Sequence, residues 1–295
     1  MTVSVVIPVF NGKNFLEKNL PGLVKALNYK KNNIIEIIAV DDGSIDESAE
    51  IIKKDFEEVT LIKHKENKGF VEAVNTGFNA AKGDLVCLLN QDVKVSEKFL
   101  EKALPHFKNE KVFGVSLHEK GYGWANGEFK DGYIVHEPGS ESEKVHSTFW
   151  LSGGSSVIRK SIWKKLKGMD DLYKPFYWED VDISYRALKR GYTLLWEPKA
   201  TVVHQHESTI NKNNFNRRKI MLVKERNHLL FNWKNITSPI MIRKHLIGLA
   251  IRTLKNPGYL IVVFMSLARL SVVLKRRKIE KRECRVSDEA VLTKY

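Results

Sequence analysis

Hydrophobic and polar positions fall into two alternating patterns over the first ninety residues. Short β-branched runs at residues 3–7, 34–40 and 59–64 are each followed by an amphipathic stretch, at 15–27, up to 56 and at 71–81. The runs have the length and composition of strands, and the stretches between them have helical spacing. Pro8 closes the first run, Asn11-Gly12 reads as a turn, Ser44 or Asp46 is placed to cap the second helix, and Lys82-Gly83 stops the third. A fourth run, 85–89, is apolar throughout and ends abruptly in Asn90-Gln91-Asp92. This strand and helix alternation predicts a mostly parallel sheet with helices on both faces. The glycines do not form the G-x-G-x-x-G dinucleotide fingerprint, which disfavours a nicotinamide cofactor.

The pattern then loosens. Residues 112–117 read as another strand, 121–138 as a loop or hairpin shaping an acceptor pocket, and Gly153-Gly154 after Trp150 as a place for close backbone approach to a ligand or for a tight turn. Residues 183–190 form a helix stopped by Gly191, and a further strand runs out at Val202-Val203-His204-Gln205-His206.

Chemistry gathers where these strands end. In a parallel sheet Asp41-Asp42 and Asn90-Asp92 share one edge, where ligands of α/β proteins collect. An isolated Asp92 there suits a hard divalent cation with positions open for phosphate oxygens, although Asn90 and Asp92 would also serve a simple turn. Asp41-Asp42-Gly43-Ser44 is an Asx turn plus cap, or, for Asp42, something more. Tyr177-Trp178-Glu179-Asp180-Val181-Asp182 places three acids at a helix start. Capping and the helix dipole account for Asp182 and in part Glu179, and an aromatic wall before Asp180 keeps that carboxylate basic enough to take a proton. Of His204 and His206, on alternate faces of a strand, at most one shares a metal with Asp92.

Charge divides the chain. Residues 1–204 carry 29 basic and 29 acidic side chains, and 205–295 carry 20 and 6, so the net +14 lies in the last third. A neutral body with a basic end argues against nucleic acid, because the aromatics lie in the body, and points to an anionic surface. Residues 240–278 alternate apolar and basic positions, interrupted at Arg269, which predicts amphipathic helices on an anionic leaflet or, as the rival, a packed helical subdomain or homodimer contact. The expected division is 1–235 as the main domain, 236–279 as the basic helical extension and 280–295 as a mobile polar tail. Cys87 and Cys284 offer no disulfide framework and suit a reducing cytoplasm. The opening residues lack the basic start and apolar core of a signal peptide.

Five motifs in order resemble a family-2 glycosyltransferase of the GT-A nucleotide-diphospho-sugar fold, over roughly residues 2–235: Val5-Val6-Ile7-Pro8-Val9-Phe10-Asn11, Val40-Asp41-Asp42-Gly43-Ser44, Asn67-Lys68-Gly69-Phe70, Leu88-Leu89-Asn90-Gln91-Asp92 and Trp178-Glu179-Asp180-Val181-Asp182. The resemblance implies Asp42 at the nucleobase beside Pro8 and Phe10, with Gly69, Asn90 and Gln91 in the nucleotide-sugar site. It implies Mg²⁺ or Mn²⁺ on Asp92 with His204, and Asp180 as general base. Trp150, Gly153, Gly154, Trp178 and Glu179 would form the acceptor and sugar pocket. Asn90 departs from the usual first acid of D-x-D and would contact ribose or a phosphate-bound water. The Asn-x-Asp form is similar to the rhamnosyltransferase-like subgroup, implying dTDP-rhamnose as donor and a glycan or lipid-linked glycan of bacterial cell-surface polysaccharide as acceptor. No Gln-x-x-Arg-Trp follows His206, so one sugar is added at a time by an inverting enzyme, peripheral on the inner face of the membrane. The competing expectation is a non-catalytic nucleotide-sugar or carbohydrate-binding module of the same fold.

Overall fold

The computed structural model describes residues 1–205 and 216–294, and His206 lies outside them. The first half is three strand and helix units and a closing strand: β1 (Val3–Val9), α1 (Lys13–Asn28), β2 (Ile34–Asp41), α2 (Ser48–Asp55), β3 (Val59–Lys63), α3 (Phe70–Ala80) and β4 (Leu85–Leu89). These strands lie in the order β3-β2-β1-β4, all parallel. Alternation along β1 explains why both faces are covered. Val3, Val5 and Ile7 join Leu16, Leu20 and Leu23 of α1 in one core, whereas Val6 joins Val71, Val74 and Phe78 of α3 in the other. Gly77 lets α3 lie against the sheet, since a Cβ there would sit 2.3 Å from Val6 Cγ1. Pro8 is inside β1 rather than its end, and α2 begins at Ser48, whose N–H is taken by Asp46 Oδ1 at 3.1 Å.

Beyond β4 the sheet becomes mixed. β5 (Val93–Val95), β6 (Val112–Glu119), the hairpin β7 (Ala125–Lys130) and β8 (Tyr133–Pro138), β9 (His146–Ser147), β10 (Ser155–Arg159), α4 (Lys160–Leu166), α5 (Glu179–Lys189) and β11 (Thr193–His204) follow. The order continues β4-β10-β6-β11-β5, with β10 antiparallel to both neighbours and β6 parallel to β11. The parallel order foreseen from alternation thus holds in the β3-to-β4 half, and the inserted β10 reverses direction in the other.

The remaining helices are α6 (Arg217–Asn235), α7 (Pro239–Lys255), α8 (Leu260–Leu267), α9 (Leu270–Glu283) and α10 (Asp288–Leu292). They do not trail from the body. Asn232 Oδ1 of α6 accepts from Ile134 N–H of the hairpin at 2.8 Å, and α7 meets the hairpin turn so closely that a Cβ on Gly248 would lie 2.2 Å from Asp131 O. The segment from Glu280 onward, expected to be a mobile tail, is clamped instead. Asp288 is wholly buried and accepts from Lys189 Nζ at 2.5 Å, Tyr185 Oη at 2.7 Å and Ser238 N–H at 2.7 Å, and Arg190 pairs with Glu280 at 2.7 Å. The composition looked polar because its acids are the partners of buried cations on α5. No single helix among the described residues is long and apolar enough to cross a membrane. On α7, however, Ile240, Ile247, Ile251 and Leu254 face outward, as do Leu260, Phe264 and Leu267 of α8.

Candidate active site

Strand ends build one cavity of about 770 Å³. β1 delivers Pro8 and Phe10, the end of β2 delivers Asp42, β4 delivers Asn90, Gln91 and Asp92, and β11 delivers His204. Gly153 and Gly154 enter from before β10, Glu179 and Asp180 from the first turn of α5, and Gly69 from the turn before α3. Asp42, Asp92 and Asp180, 138 residues apart at the extremes, therefore face the same space. The glycine pair is required by that convergence: a Cβ on Gly153 would stand 3.1 Å from Asp180 Oδ2, and one on Gly154 would stand 2.9 Å from both Asn90 Nδ2 and His204 Cε1.

Asp42 is 3% exposed and accepts from His64 Nδ1 at 2.7 Å, Lys68 N–H at 2.9 Å and Gly69 N–H at 2.7 Å. It thereby fixes the loop before α3, with Gly69 at φ +90°. Asp41 does what a turn needs: its Oδ1 accepts from Ser44 N–H at 2.9 Å. Gln91 is committed as well, because its amide clasps Phe10 through both N–H and C=O, at 3.0 and 3.2 Å. It holds the loop beneath Phe10 and also lines the cavity. Asn90 bonds Gly154 O through its backbone at 2.8 Å, and its side chain lines the cavity.

Asp92 and His204 converge, Oδ1 to Nε2, at 3.0 Å. The other ring nitrogen, Nδ1, faces Glu119 Oε2 at 3.1 Å, and Glu119 Oε1 accepts from Ser155 Oγ at 2.6 Å. Burial opposes charge on the imidazole, but the two carboxylates prevail and raise it to about 9. Among the described residues no group of three or more His, Cys, Asp or Glu forms a ready metal cage. Asp92 and His204 nonetheless fit a divalent cation, an oxygen donor and, once the imidazole gives up its Nε2 proton, a nitrogen donor on one cavity wall, with the outer ring nitrogen held by a carboxylate. Glu119 was missed in the sequence. It ends β6 as Asp92 follows β4, but with no neighbouring acid to mark it.

At the start of α5 the three acids part ways. Asp182 is fully buried and serves structure: Lys234 at 2.8 Å and Arg186 at 2.7 Å outweigh burial and hold it well below the usual carboxylate range. Glu179 is buried in the cavity wall, its Oε2 meets no hydrogen-bond partner, and burial plus the charge of Asp180 push it well above its ordinary value. Asp180 is raised by burial to about 6, against hydrogen bonds from Val181 and Gly153 that favour its charged form. Burial thus favours the neutral form of Glu179 and leaves Asp180 to titrate at about 6. Trp178, expected in the pocket wall, is not there. It is buried, stacked on His228 of α6 at 4.2 Å between ring centres, and Tyr177 and Trp150 take the cavity face. Tyr177 and Trp178 both have positive φ, 71° and 77°, where the chain turns into α5.

Sequence and structure comparisons agree with this geometry. Residues 4–167 match the family described as Glycosyl transferase family 2. Among similar proteins is the pre-mycofactocin glycosyltransferase of Mycobacterium tuberculosis, 30% identical over 218 residues, covering 70% of this chain and 43% of that protein. The chain thus spans less than half the length of that relative. Among solved structures, GalNAc-T7 with UDP, GalNAc and Mn²⁺ superposes with a TM-score of 0.64 at 18% identity, over 81% of this chain and 48% of the other. The mannosyltransferase PcManGT from Pyrobaculum calidifontis, in complex with GDP-Man and Mn²⁺, superposes with a TM-score of 0.57 at 14% identity, over 99% and 84%. These likenesses establish the GT-A fold.

Proposed function

Because the chain belongs to glycosyl transferase family 2, we propose that it moves one sugar, with inversion, from a nucleotide-diphospho-sugar to a hydroxyl of a glycan or lipid-linked glycan. The donor in this reading is dTDP-rhamnose, the product is a bacterial cell-surface polysaccharide, and the enzyme works at the inner face of the membrane through its basic C-terminal helices. The observation that carries the proposal is Asp180, raised to about 6, in the same cavity as Asp42 and the Asp92 and His204 pair. Relatives in structure that bind UDP or GDP-Man with Mn²⁺ support a sugar-nucleotide and a divalent cation in this cavity.

Each residue has a role in that chemistry. Asp42, beside Pro8 and Phe10, has an oxygen, Oδ2, with one protein partner, Gly69 N–H, which leaves a lone pair for a nucleobase N–H. Asn90 offers an amide toward the ribose. Asp92 and His204 would hold Mg²⁺ or Mn²⁺, which when bound stabilises the charge growing on the departing diphosphate. Asp180 accepts the proton of the acceptor hydroxyl as its oxygen attacks the anomeric carbon, which has oxocarbenium character, from the side opposite the diphosphate. The carbon to diphosphate-oxygen bond breaks and the glycosidic bond forms in the same displacement. The test is transfer of labelled sugar from a panel of nucleotide-sugars to a lipid-linked glycan. Product formed with thymidine-linked rhamnose and lost in Asp180→Asn supports the reading. Nucleotide release without a glycosylated product from any donor contradicts it.

A further inference from the structure

A buried histidine stands behind the Asp42 end of the cavity, and the reaction derived above does not use it. His64 follows β3, and its N–H continues the β2 and β3 pairing onto Asp41 O at 2.8 Å. Because Asp41 is in register with Lys63, the next residues along, Asp42 and His64, stand side by side. Two contacts hold the ring. Nδ1 meets Asp42 Oδ1 at 2.7 Å, and Nε2 meets Thr76 Oγ1 of α3 at 3.0 Å. His64 is 8% exposed and does not line the cavity, whereas Asp42 does. A leucine would fill the same space without burying two ring nitrogens, so the two contacts are what the histidine adds.

The proton positions follow from the carboxylate. Asp42 Oδ1 also accepts from Lys68 N–H, and Oδ2 accepts from Gly69 N–H. Oδ1 is an acceptor toward both its neighbours, so Nδ1 carries the hydrogen, and in the neutral ring Nε2 accepts from the Thr76 hydroxyl. Every described group on this carboxylate is therefore a donor, and the second lone pair of Oδ2 is the position left unclaimed. We propose that His64 is a positioning residue for the donor's base: its Nδ1–H fixes Asp42 so that Oδ2 accepts from a ring N–H, selecting uracil, thymine or guanine over cytosine or adenine. The inference rests on the transferase reading and adds to it the class of base and the residue that enforces it. Uracil, thymine and guanine carry a hydrogen on the ring nitrogen of their pairing edge. Cytosine and adenine bring a bare nitrogen there, whose lone pair would face that of the carboxylate.

Calorimetric titration of the full chain with Mn²⁺ compares UDP with CDP, dTDP with 5-methyl-dCDP and GDP with ADP, and inorganic diphosphate serves as the arm without a base. The tightest ligand of the parent is expected to be UDP, dTDP or GDP, ahead of its amino counterpart by about tenfold or more, the scale of one hydrogen bond to a charged group. His64→Leu is expected to weaken that ligand by about tenfold or more and to leave inorganic diphosphate within about twofold. Two amides then identify which ring nitrogen matters. An asparagine nitrogen reaches the place of Nδ1 and a glutamine nitrogen that of Nε2. His64→Asn is thus expected to keep the parent's affinity within about threefold, and His64→Gln to match His64→Leu. This pair decides the matter should the leucine variant fail to fold. CDP, 5-methyl-dCDP or ADP as the tightest ligand would overturn the assignment. So would an unchanged nucleotide affinity in His64→Leu and His64→Gln, equal losses of nucleotide and inorganic diphosphate, or a loss in His64→Asn as deep as in His64→Gln. A parent that binds no nucleotide with Mn²⁺ would instead remove the transferase reading itself, on which transfer rates measured in parallel report separately.

Discussion

Replacing Asp180 by Asn separates two consequences of its burial. The carboxyl is enclosed although the residue is part exposed, and its ordinary value of 3.8 is raised to about 6. A rise of about two units corresponds to at most about 3 kcal/mol of disfavoured charge. For an acid whose folded value lies above its unfolded one, the stabilising contribution is present below about pH 4 and is lost as pH rises through about 6. A neutral amide escapes that loss. At pH 8 the variant is therefore expected to melt higher, by up to about 6 °C for a chain of this length, and the difference should close toward pH 4. Turnover moves the other way. Loss of the base lowers kcat for transfer by about 10²–10⁴ with the donor KM held, and the parent's own rate falls by about tenfold between pH 7 and pH 5 as Asp180 protonates. Calorimetric melting at three pH values and steady-state transfer rates provide both readouts. A variant that transfers at the parental rate, or one that melts lower than the parent at pH 8, refutes the reasoning.

Three further substitutions probe other parts of the account. Glu119→Gln leaves His204 Nδ1 without its carboxylate, 3.1 Å away in the parent, and should weaken Mn²⁺ binding by about 10–100-fold in an electron paramagnetic resonance titration; unchanged affinity would remove Glu119 from the site. Asp288→Asn strands the buried Lys189 ammonium, and a loss of about 3–5 kcal/mol in urea unfolding is expected. A change below about 0.5 kcal/mol would return the C-terminal segment to a loose tail. Gly77→Ala forces a methyl to within 2.3 Å of Val6 Cγ1 and should cost about 1–3 kcal/mol, with transfer kinetics unchanged in the folded fraction.

The parallel half of the fold was legible because each of its strands is bounded by punctuation and paired with a helix of the right period. So were the acids at its strand ends, since a charged residue at the close of an apolar run has few structural uses. What stayed hidden depended on contacts far apart in sequence. Gln91 reads only as a ligand, whereas its amide also clasps Phe10, 3.0 Å away. Trp178 reads as a sugar platform until α6 supplies His228 for it to stack on. The residues after Glu280 read as solvated because charge in sequence does not reveal that Arg190 and Lys189 wait beneath. Glu119 illustrates the converse, a cavity-lining acid with no acid beside it in the chain and a partner, His204, 85 residues away.

The account depends on Asp42, Asp92 and Asp180 facing one ligand. Thermal stabilisation by uridine, guanosine and thymidine diphosphates, each with and without Mn²⁺, tests that dependence directly in the parent and in the Asp92→Asn and Asp180→Asn variants. At a hundred times its dissociation constant, a nucleotide that binds only the folded state adds about 2.7 kcal/mol. The prediction is that at least one nucleotide raises the melting temperature only when Mn²⁺ is present, that Asp92→Asn abolishes the rise, and that Asp180→Asn keeps it. No rise with any of the three, or an undiminished rise in Asp92→Asn, would contradict the account.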